Sequence, residues 1–269
     1  MGDIQIKSEL IEQLIKISKE AGKAILKIYN TNFDYQIKKD LSPLTKADTS
    51  SHNIICERLK LLTPDIPILS EEDSDIPFNI RSSWKEYWLI DPLDGTKEFI
   101  KHNGEFTVNI ALIKNNRPIF GMIYVPVKDQ IYWGLENHGS YLIDEESTQI
   151  KLRVSKNEDL PIRIACSRSH PSKQLTTFLN NIKNYELITV GSSLKFCLIA
   201  KGEADLYPRF GPTSEWDTAA GEAIARFAGA TIVNLRNQSL YYNSNSGFIN
   251  PHFITVNNEA NIEKILSML

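Results

Sequence analysis

Two carboxylates stand three residues apart in the segment DPLDGT at positions 91–96, directly after the apolar run YWLI. Pro92 favours an extended conformation at Asp91, as the end of a strand requires. Gly95 permits a left-handed turn, which lets Asp91, Asp94 and a backbone carbonyl face one point. Oxygen ligands held in this way suit a hard cation such as Mg²⁺. The segment therefore predicts a metal site, although DG pairs also occur in solvated surface turns.

Two further acidic segments could complete such a site. SEEDSD at 70–75 follows the β-rich run IPIL, as DPLDGT follows YWLI. If these two strands lie side by side, Glu71 comes near Asp91 and Asp94; otherwise the charge run is a solvated face. In EWDTAAG at 215–221, Asp217 precedes small and apolar residues and is interpreted as a helix N-cap. A carboxylate there could also bind a metal that in turn holds a phosphate.

Composition limits the classes of function. The chain has 269 residues and a formal net charge of −3, so it offers no broad basic surface for nucleic acid. No apolar run approaches the roughly 20 residues that span a bilayer, and the amphipathic start lacks the apolar core of a signal peptide. The three widely spaced cysteines fit no zinc pattern. They indicate reduced, buried thiols in the cytoplasm.

The elements that must position these residues are mixed helices and strands. Apolar spacing predicts helices over 5–29 and 47–62, the second stopped before Pro64. Strand-like runs follow at 66–69, 87–90, 106–113, 119–126 and 131–135. The later part alternates strands at 163–166, 187–190, 204–209 and 231–233 with helices near 172–182, 192–201 and 217–227. This rhythm predicts an α/β protein with an α+β half at 1–150 and an α/β half at 151–269, meeting in the polar stretch 145–160.

The three acidic motifs, in this order, resemble the lithium-sensitive, magnesium-dependent phosphatase superfamily that includes the inositol monophosphatases. The resemblance runs from LTKADTSS at 44–51 to INPHF at 249–253. Within it, GTKEFIKHNGEFTVNIALI, ACSRSH and GSSLKFCLIAKGEADLYPRFGPT are similar to the 3′(2′),5′-bisphosphate nucleotidases of the CysQ type. The fold that this implies is a layered αβαβα sandwich with a mixed, partly antiparallel sheet in its first half.

The resemblance implies a role for each motif residue. Two or three Mg²⁺ ions would be bound by Glu71, Asp91, the Leu93 carbonyl, Asp94 and Asp217, with Glu72 beside them through water or a further cation. Asp48, Thr96 and Glu71 would be catalytic and help to activate a water molecule. The substrate would be bound by Gly95, Thr96, Ser192, Lys195, Arg209, Asp217 and His170, with Arg168 nearby. Helix capping remains the alternative for Asp48 and Ser192, and a surface ion pair the alternative for Arg168 and Arg209.

The implied reaction is hydrolysis of 3′-phosphoadenosine 5′-phosphate to AMP and phosphate, in sulfur metabolism, with 3′-phosphoadenylyl sulfate as a further substrate. A phosphatase of inositol monophosphate or fructose 1,6-bisphosphate is the alternative within the superfamily. A non-catalytic cation-binding protein is a remote one, because the EF-hand pattern is absent. The expected location is the cytoplasm; the resemblance also allows peripheral attachment to the inner membrane, which nothing in the sequence requires. The sequence predicts no oligomeric state.

Overall fold

Two long helices open the computed structural model, which describes residues 6–31, 35–37, 43–156, 161–168 and 172–269. Helix α1 (Ser8–Tyr29) buries one apolar stripe, and α2 (Lys46–Leu62) packs beside it. Between them, β1 (Tyr35–Ile37) pairs with β2 (Pro43–Thr45) in an antiparallel manner. Both predicted helices are confirmed, with starts that differ by one residue for α2 and three for α1.

A seven-stranded sheet fills the first part of the chain, and its spatial order follows the sequence. β3 lies parallel to β4, and every other neighbouring pair is antiparallel. The short helices α3 (Phe78–Arg81) and α4 (Thr96–Ile100) flank β4. The strands are β3 (Ile68–Ser70), β4 (Glu86–Asp94), β5 (Thr107–Lys114), β6 (Arg117–Val125), β7 (Gln130–Leu135), β8 (Gly139–Ile143) and β9 (Gln149–Leu152).

A five-stranded sheet follows, in the order β11-β10-β12-β14-β13. β10 is parallel to β11 and β12, whereas β14 is antiparallel to both of its neighbours. Its strands are β10 (Ile162–Ser167), β11 (Tyr185–Val190), β12 (Leu206–Arg209), β13 (Thr231–Asn234) and β14 (Phe253–Val256). The accompanying helices are α5 (Lys173–Asn180), α6 (Leu194–Ala200), α7 (Glu215–Phe227) and α8 (Ile262–Leu266). Short 3₁₀ helices cover Pro126–Lys128 and Glu259–Asn261.

Three apolar clusters define the layers. The first joins α1 and α2 to one face of the large sheet, through residues such as Leu14 and Trp88. The second contains α6 and α7, which lie between the two sheets, and the third places α5 and α8 on the outer face of the smaller sheet. Adjacent residues of one strand, such as Leu89 and Ile90, enter different clusters because side chains alternate across a sheet. The predicted αβαβα sandwich is confirmed.

Five strands were not predicted: β1, β2, β8, β9 and β14. β9 has mostly exposed side chains and lies at the edge of the large sheet, within the polar stretch predicted to join the halves. The sheet changes between β9 and β10, and α7 from the later part packs on the large sheet. The division at residue 150 stays a prediction.

None of the helices in the described ranges has both the length and the hydropathy that crossing a membrane requires.

Candidate metal centre and substrate cavity

A β-bulge shapes the DPLDG segment. Asp91 pairs with Asn109 and Asp94 pairs with Thr107, so three steps along β4 oppose two along β5. Such a bulge bends its strand and re-aims the side chains at its end. Gly95 follows with φ +90°, which confirms the predicted left-handed turn. A β-carbon at Gly95 would lie 3.2 Å from the Glu105 carbonyl oxygen, so the turn is closely packed.

The parallel pairing of β3 with β4 brings the first two acidic motifs together. Ser70 lies opposite Ile90, and the Glu71 amide donates to the Ile90 carbonyl at 3.1 Å. One carboxylate oxygen each from Glu71, Asp91 and Asp217 then lies within 4.8 Å of the other two. The prediction that adjacent strands place Glu71 near Asp91 is confirmed.

Asp217 reaches this group from the start of α7, but it is not the N-cap. The helix begins at Glu215, and Ser214 is its N-cap in a capping box with Asp217. The Asp217 carboxylate accepts from the Ser214 amide at 2.9 Å through one oxygen. The N-cap interpretation of Asp217 is therefore wrong, because a serine three residues earlier takes that position. The capping box fixes the rotamer that directs the carboxylate towards Glu71 and Asp91.

The electrostatics of the group favour a bound cation. Asp91 is 1% exposed, and burial raises its pKa well above the ordinary value, with further increases from Glu71, Asp94, Asp217 and Asp48. The pKa of Asp217 is raised by burial and then by Asp94 and Glu71. Buried like charges at this distance destabilise one another unless a counter-ion or protons neutralise them. An all-oxygen donor set of this kind fits Mg²⁺.

A cavity of about 210 Å³ opens over the carboxylates. Asp94 lines it but lies outside the group of three. Burial raises the pKa of Asp94, whereas the Lys195 ammonium and the Ser193 amide lower it. Predicted site residues that line the cavity are Glu71, Asp91, Leu93, Asp94, Gly95, Thr96, Ser192, Lys195, Arg209 and Asp217.

Two of the cations that line the same cavity, Lys195 and Arg209, are predicted site residues. Lys195 is 4% exposed, and burial lowers its pKa to about 8, with Asp94 acting in the opposite direction. Its Nζ donates to the Ser192 carbonyl and lies 5.6 Å from the centre of the Tyr207 ring. Arg209, at the end of β12, donates to the Thr213 hydroxyl and to the Pro212 carbonyl. Its partners are neutral, so the alternative of a surface ion pair is wrong for Arg209.

Ser192 differs from its predicted setting. Helix α6 begins at Leu194, two residues after the predicted start, because Ser192 has φ +46°. The Ser192 hydroxyl is buried and has no hydrogen-bond partner among the described residues. Capping of α6 by Ser192 is therefore wrong. An unpaired hydroxyl next to the Lys195 ammonium is a donor that an anionic ligand would use.

Three predicted residues, Asp48, Glu72 and Arg168, are not among the residues that line the cavity. Asp48 is 2% exposed in the first turn of α2, and the hydroxyl of Ser51 on that helix donates to the Pro92 carbonyl at 2.7 Å. Glu72 is half-buried beside His52. Burial lowers the pKa of His52, and the charge of Glu72 raises it in part. Arg168 donates two hydrogen bonds to the Glu105 carboxylate, and this is the surface ion pair that was the alternative for Arg168. His170 lies outside the described residues.

Sequence reasoning missed several residues of the cavity. Glu98 is 4% exposed there, and its one signal was its place in the segment GTKEF quoted for the resemblance. The Ser193 hydroxyl donates to Asn109 Oδ1 at 2.9 Å and thereby joins the loop before α6 to β5. Asn109 lies inside an apolar run that gave no functional signal. The remaining unpredicted lining residues are Lys97, Ser167, Phe196, Tyr207, Thr213 and Thr218.

Comparison with known proteins agrees with this arrangement. The sequence model of the inositol monophosphatase family matches residues 6–268. The chain belongs to this family. Within the inositol monophosphatase family, it is 45% identical to the 3′(2′),5′-bisphosphate nucleotidase CysQ of Salmonella typhimurium, over 91% of this chain and 98% of that protein. It is 43% identical to CysQ of Escherichia coli K12 over the same shares.

Solved structures of the inositol monophosphatase family have the same fold. The crystal structure of CysQ from Bacteroides thetaiotaomicron superposes with a TM-score of 0.83 at 39% identity, covering 94% of this chain and 99% of that one. An inositol monophosphatase of Thermotoga maritima reaches a TM-score of 0.79 at 21% identity, covering 97% of this chain and 96% of that one. The second likeness concerns the fold alone.

Proposed function

We propose that this chain is a Mg²⁺-dependent 3′(2′),5′-bisphosphate nucleotidase that hydrolyses 3′-phosphoadenosine 5′-phosphate to AMP and phosphate. The observation that carries the proposal is one cavity that combines the carboxylates of Glu71, Asp91 and Asp217 with the cations of Lys195 and Arg209. A bisphosphate needs a site for the phosphate that leaves and a second site for the phosphate that stays. The 45% identity to a CysQ nucleotidase supports the same substrate class.

The proposed metal ligands are Glu71, Asp91, the Leu93 carbonyl, Asp94 and Asp217, for two or three Mg²⁺ ions, with Glu72 reaching them through water. Bound Mg²⁺ would lower the pKa of a water molecule and offset negative charge on the leaving oxygen. The like-charged, buried carboxylates are support for this occupancy, because a cation removes their mutual repulsion.

The protein groups would orient the attacking water and the substrate. In the proposed mechanism the Thr96 hydroxyl donates to Asp48 and accepts a hydrogen bond from the water, with Glu71 on its other side. The water oxygen bonds to phosphorus as the bond to the 3′ oxygen breaks, and a proton passes to that oxygen. Positioning supplies a large part of such an acceleration, because phosphoryl transfer requires an in-line approach.

The remaining part of the substrate would be bound on the other side of the cavity. The amides of Gly95 and Thr96, with the Ser192 hydroxyl, would donate to phosphate oxygens. Lys195 and Arg209 would bind the 5′-phosphate, and His170 the nucleoside. 3′-Phosphoadenylyl sulfate presents the same 3′ group and is proposed as a further substrate. The three buried, free cysteines support a reducing compartment such as the cytoplasm.

The experiment is to measure phosphate release from 3′-phosphoadenosine 5′-phosphate by the purified protein. We expect turnover with Mg²⁺, none in EDTA, and inhibition by Ca²⁺, which is larger and imposes a less strict geometry. Asp94→Asn should abolish turnover and keep the fold. A variant that retains more than about a tenth of the activity has lost under about 1.4 kcal/mol of barrier lowering, and that result would refute the site.

A further inference from the structure

Arg81 is a fully buried cation away from the cavity, 1% exposed, at the end of α3. Its guanidinium lies between the rings of Phe78 and Phe248, 4.9 and 4.2 Å from their centres. It donates to the Asn243 side-chain oxygen and to the Ser246 carbonyl, the latter at 2.7 Å. The Asn243 side-chain amide donates back to the Arg81 carbonyl at 2.6 Å. Packing and hydrogen bonds thus fix both the side chain and the backbone of Arg81.

Asn243 connects this cation to a buried carboxylate. Its backbone amide lies 2.9 and 2.8 Å from the two carboxylate oxygens of Glu215, which is 3% exposed. The Glu215 amide in turn donates to the Phe248 carbonyl at 2.7 Å. Arg81 and Glu215 therefore hold the segment 243–248 from both sides. Burial raises the pKa of Glu215 to about 7, and the Asn243 amide and the Arg81 charge act in the opposite direction by favouring the ionised carboxylate.

The two ends of this connection belong to the chain segments that carry the carboxylates of the metal centre. Arg81 is in the link between β3 and β4, after Glu71 and before Asp91. Glu215 is the first residue of α7, and Asp217 is the third. The Asn250 side chain also donates to the Ser214 carbonyl at 3.0 Å and ties the N-cap of α7 to the same segment. The network therefore spans from the strands that carry Glu71 and Asp91 to the helix that carries Asp217.

We propose that Arg81 and Glu215 are positioning residues that act through Asn243 to set the position of Asp217 against Glu71 and Asp91. They thereby set the affinity of the site for Mg²⁺. The physical reason is that three carboxylates this close together, at least partly buried, repel one another, so the start of α7 must be held in place before a cation binds. This inference rests on the proposed metal site. A purely structural role would lower stability and leave the affinity unchanged.

The test is the dependence of the melting temperature on Mg²⁺ concentration, which reports the dissociation constant without any activity measurement. Arg81→Lys keeps the charge but loses the planar fork and the ring packing. Glu215→Gln keeps the shape but loses the charge. Groups that orient metal ligands typically contribute about 10- to 100-fold in metal affinity, so both variants should bind Mg²⁺ at least about tenfold more weakly.

A matched control is Arg163→Lys. Arg163 also forms a bidentate pair with a mostly buried carboxylate, that of Asp205. It lies four residues before the cavity residue Ser167 on β10, about 13 Å along the strand. This control should lose stability with no change in its dissociation constant. Excess Mg²⁺ should restore kcat in Arg81→Lys and leave KM for the substrate at the wild-type value.

Each outcome decides the proposal. An unchanged dissociation constant in Arg81→Lys and Glu215→Gln, with a melting temperature reduced as in the control, would overturn it and leave the proposed function intact. A wild type whose melting temperature does not respond to Mg²⁺ would overturn the metal site and this inference together. If both variants fail to fold, Phe248→Leu removes the ring that packs on Arg81 and on Trp216 but keeps the charges of Arg81 and Glu215. It should still weaken Mg²⁺ binding, and unchanged binding there also overturns the proposal.

Discussion

Replacing Lys195 by methionine tests whether Lys195 binds the 5′-phosphate, the phosphate group of the substrate that is not cleaved. Lys195 is buried on α6, with its Nζ close to the Ser192 carbonyl and the Tyr207 ring. Methionine has a similar length and a flexible side chain that adapts to irregular space, so the fold should persist. The change removes one positive charge from the cavity and leaves the proposed metal ligands in place.

The magnitude follows from the burial of the ammonium group. A hydrogen bond to a charged group contributes about 1.5–3 kcal/mol. At 4% exposure Lys195 has little competition from water, so the upper half of that range applies. The expected loss is about 2–3 kcal/mol, or roughly 30- to 150-fold in kcat/KM for 3′-phosphoadenosine 5′-phosphate.

The assay compares two substrates that differ in one group. 3′-Phosphoadenosine 5′-phosphate and adenosine 3′-phosphate share the cleaved ester, and only the first has a 5′-phosphate. Lys195 also lowers the pKa of Asp94, so its loss disturbs both reactions to some extent. That shared effect cancels in the ratio of the two kcat/KM values. Lys201→Met is the control, since Lys201 follows the same helix and pairs with Glu203 away from the cavity lining.

The ratio decides the role of Lys195. We expect Lys195→Met to reduce it by the factor given above and Lys201→Met to leave it unchanged. An equal loss for both substrates would refute the assignment of Lys195 to the 5′-phosphate. It would then act on the reaction centre through Asp94.

Three further predictions concern the water, the loop before α6 and a buried carboxylate. Thr96→Ala and Asp48→Asn should lower kcat by similar factors with little change in KM. The double variant should lose about as much kcat as either single variant, because the two residues act as a unit. If the two losses instead multiply in the double variant, Asp48 has only a structural role. Gly191→Ala places a β-carbon 2.5 Å from Glu98 Cγ, so the KM for the substrate should rise and the free energy of unfolding should fall by about 1–3 kcal/mol. Gly211→Ala is the control: it has open space around it and should change neither quantity. Burial raises the pKa of Glu222 in the folded protein. Protonated Glu222 therefore contributes its full stability below about pH 4.3, the ordinary pKa of the unfolded chain, and this contribution is lost as the pH rises towards the raised pKa. Glu222→Gln should therefore gain stability over wild type across that window in denaturant titrations, and a constant difference would contradict the shift.

Much of the metal centre could be predicted because its residues stand at strand ends. The apolar runs before SEEDSD and DPLDGT marked two neighbouring strands, and their parallel pairing brings Glu71 to Asp91. Asp217 was predicted near a helix start, but the serine three residues earlier was overlooked as the cap. The αβαβα layers came from the family resemblance rather than from the strand pattern.

The missed features depend on contacts between distant parts of the chain. β14 pairs with β12 and β13, and no alternating pattern marks its four residues. Ser192 was predicted inside α6 because the sequence does not reveal its positive φ. Asn109 lies in an apolar strand, and only the antiparallel pairing of β4 with β5 places it opposite Asp91. No sequence pattern marks Arg81, since the groups that accept its hydrogen bonds, on Asn243 and Ser246, are more than 160 positions away along the chain.

The most direct test of the proposed function is the ratio of kcat/KM for 3′-phosphoadenosine 5′-phosphate to that for inositol 1-phosphate, measured on wild type at one Mg²⁺ concentration. The metal centre would serve either ester, so the ratio isolates the groups that bind the nucleotide. We predict a preference of at least about a hundredfold, roughly 2.7 kcal/mol. Equal values for the two substrates would contradict the nucleotidase assignment and favour a sugar phosphatase.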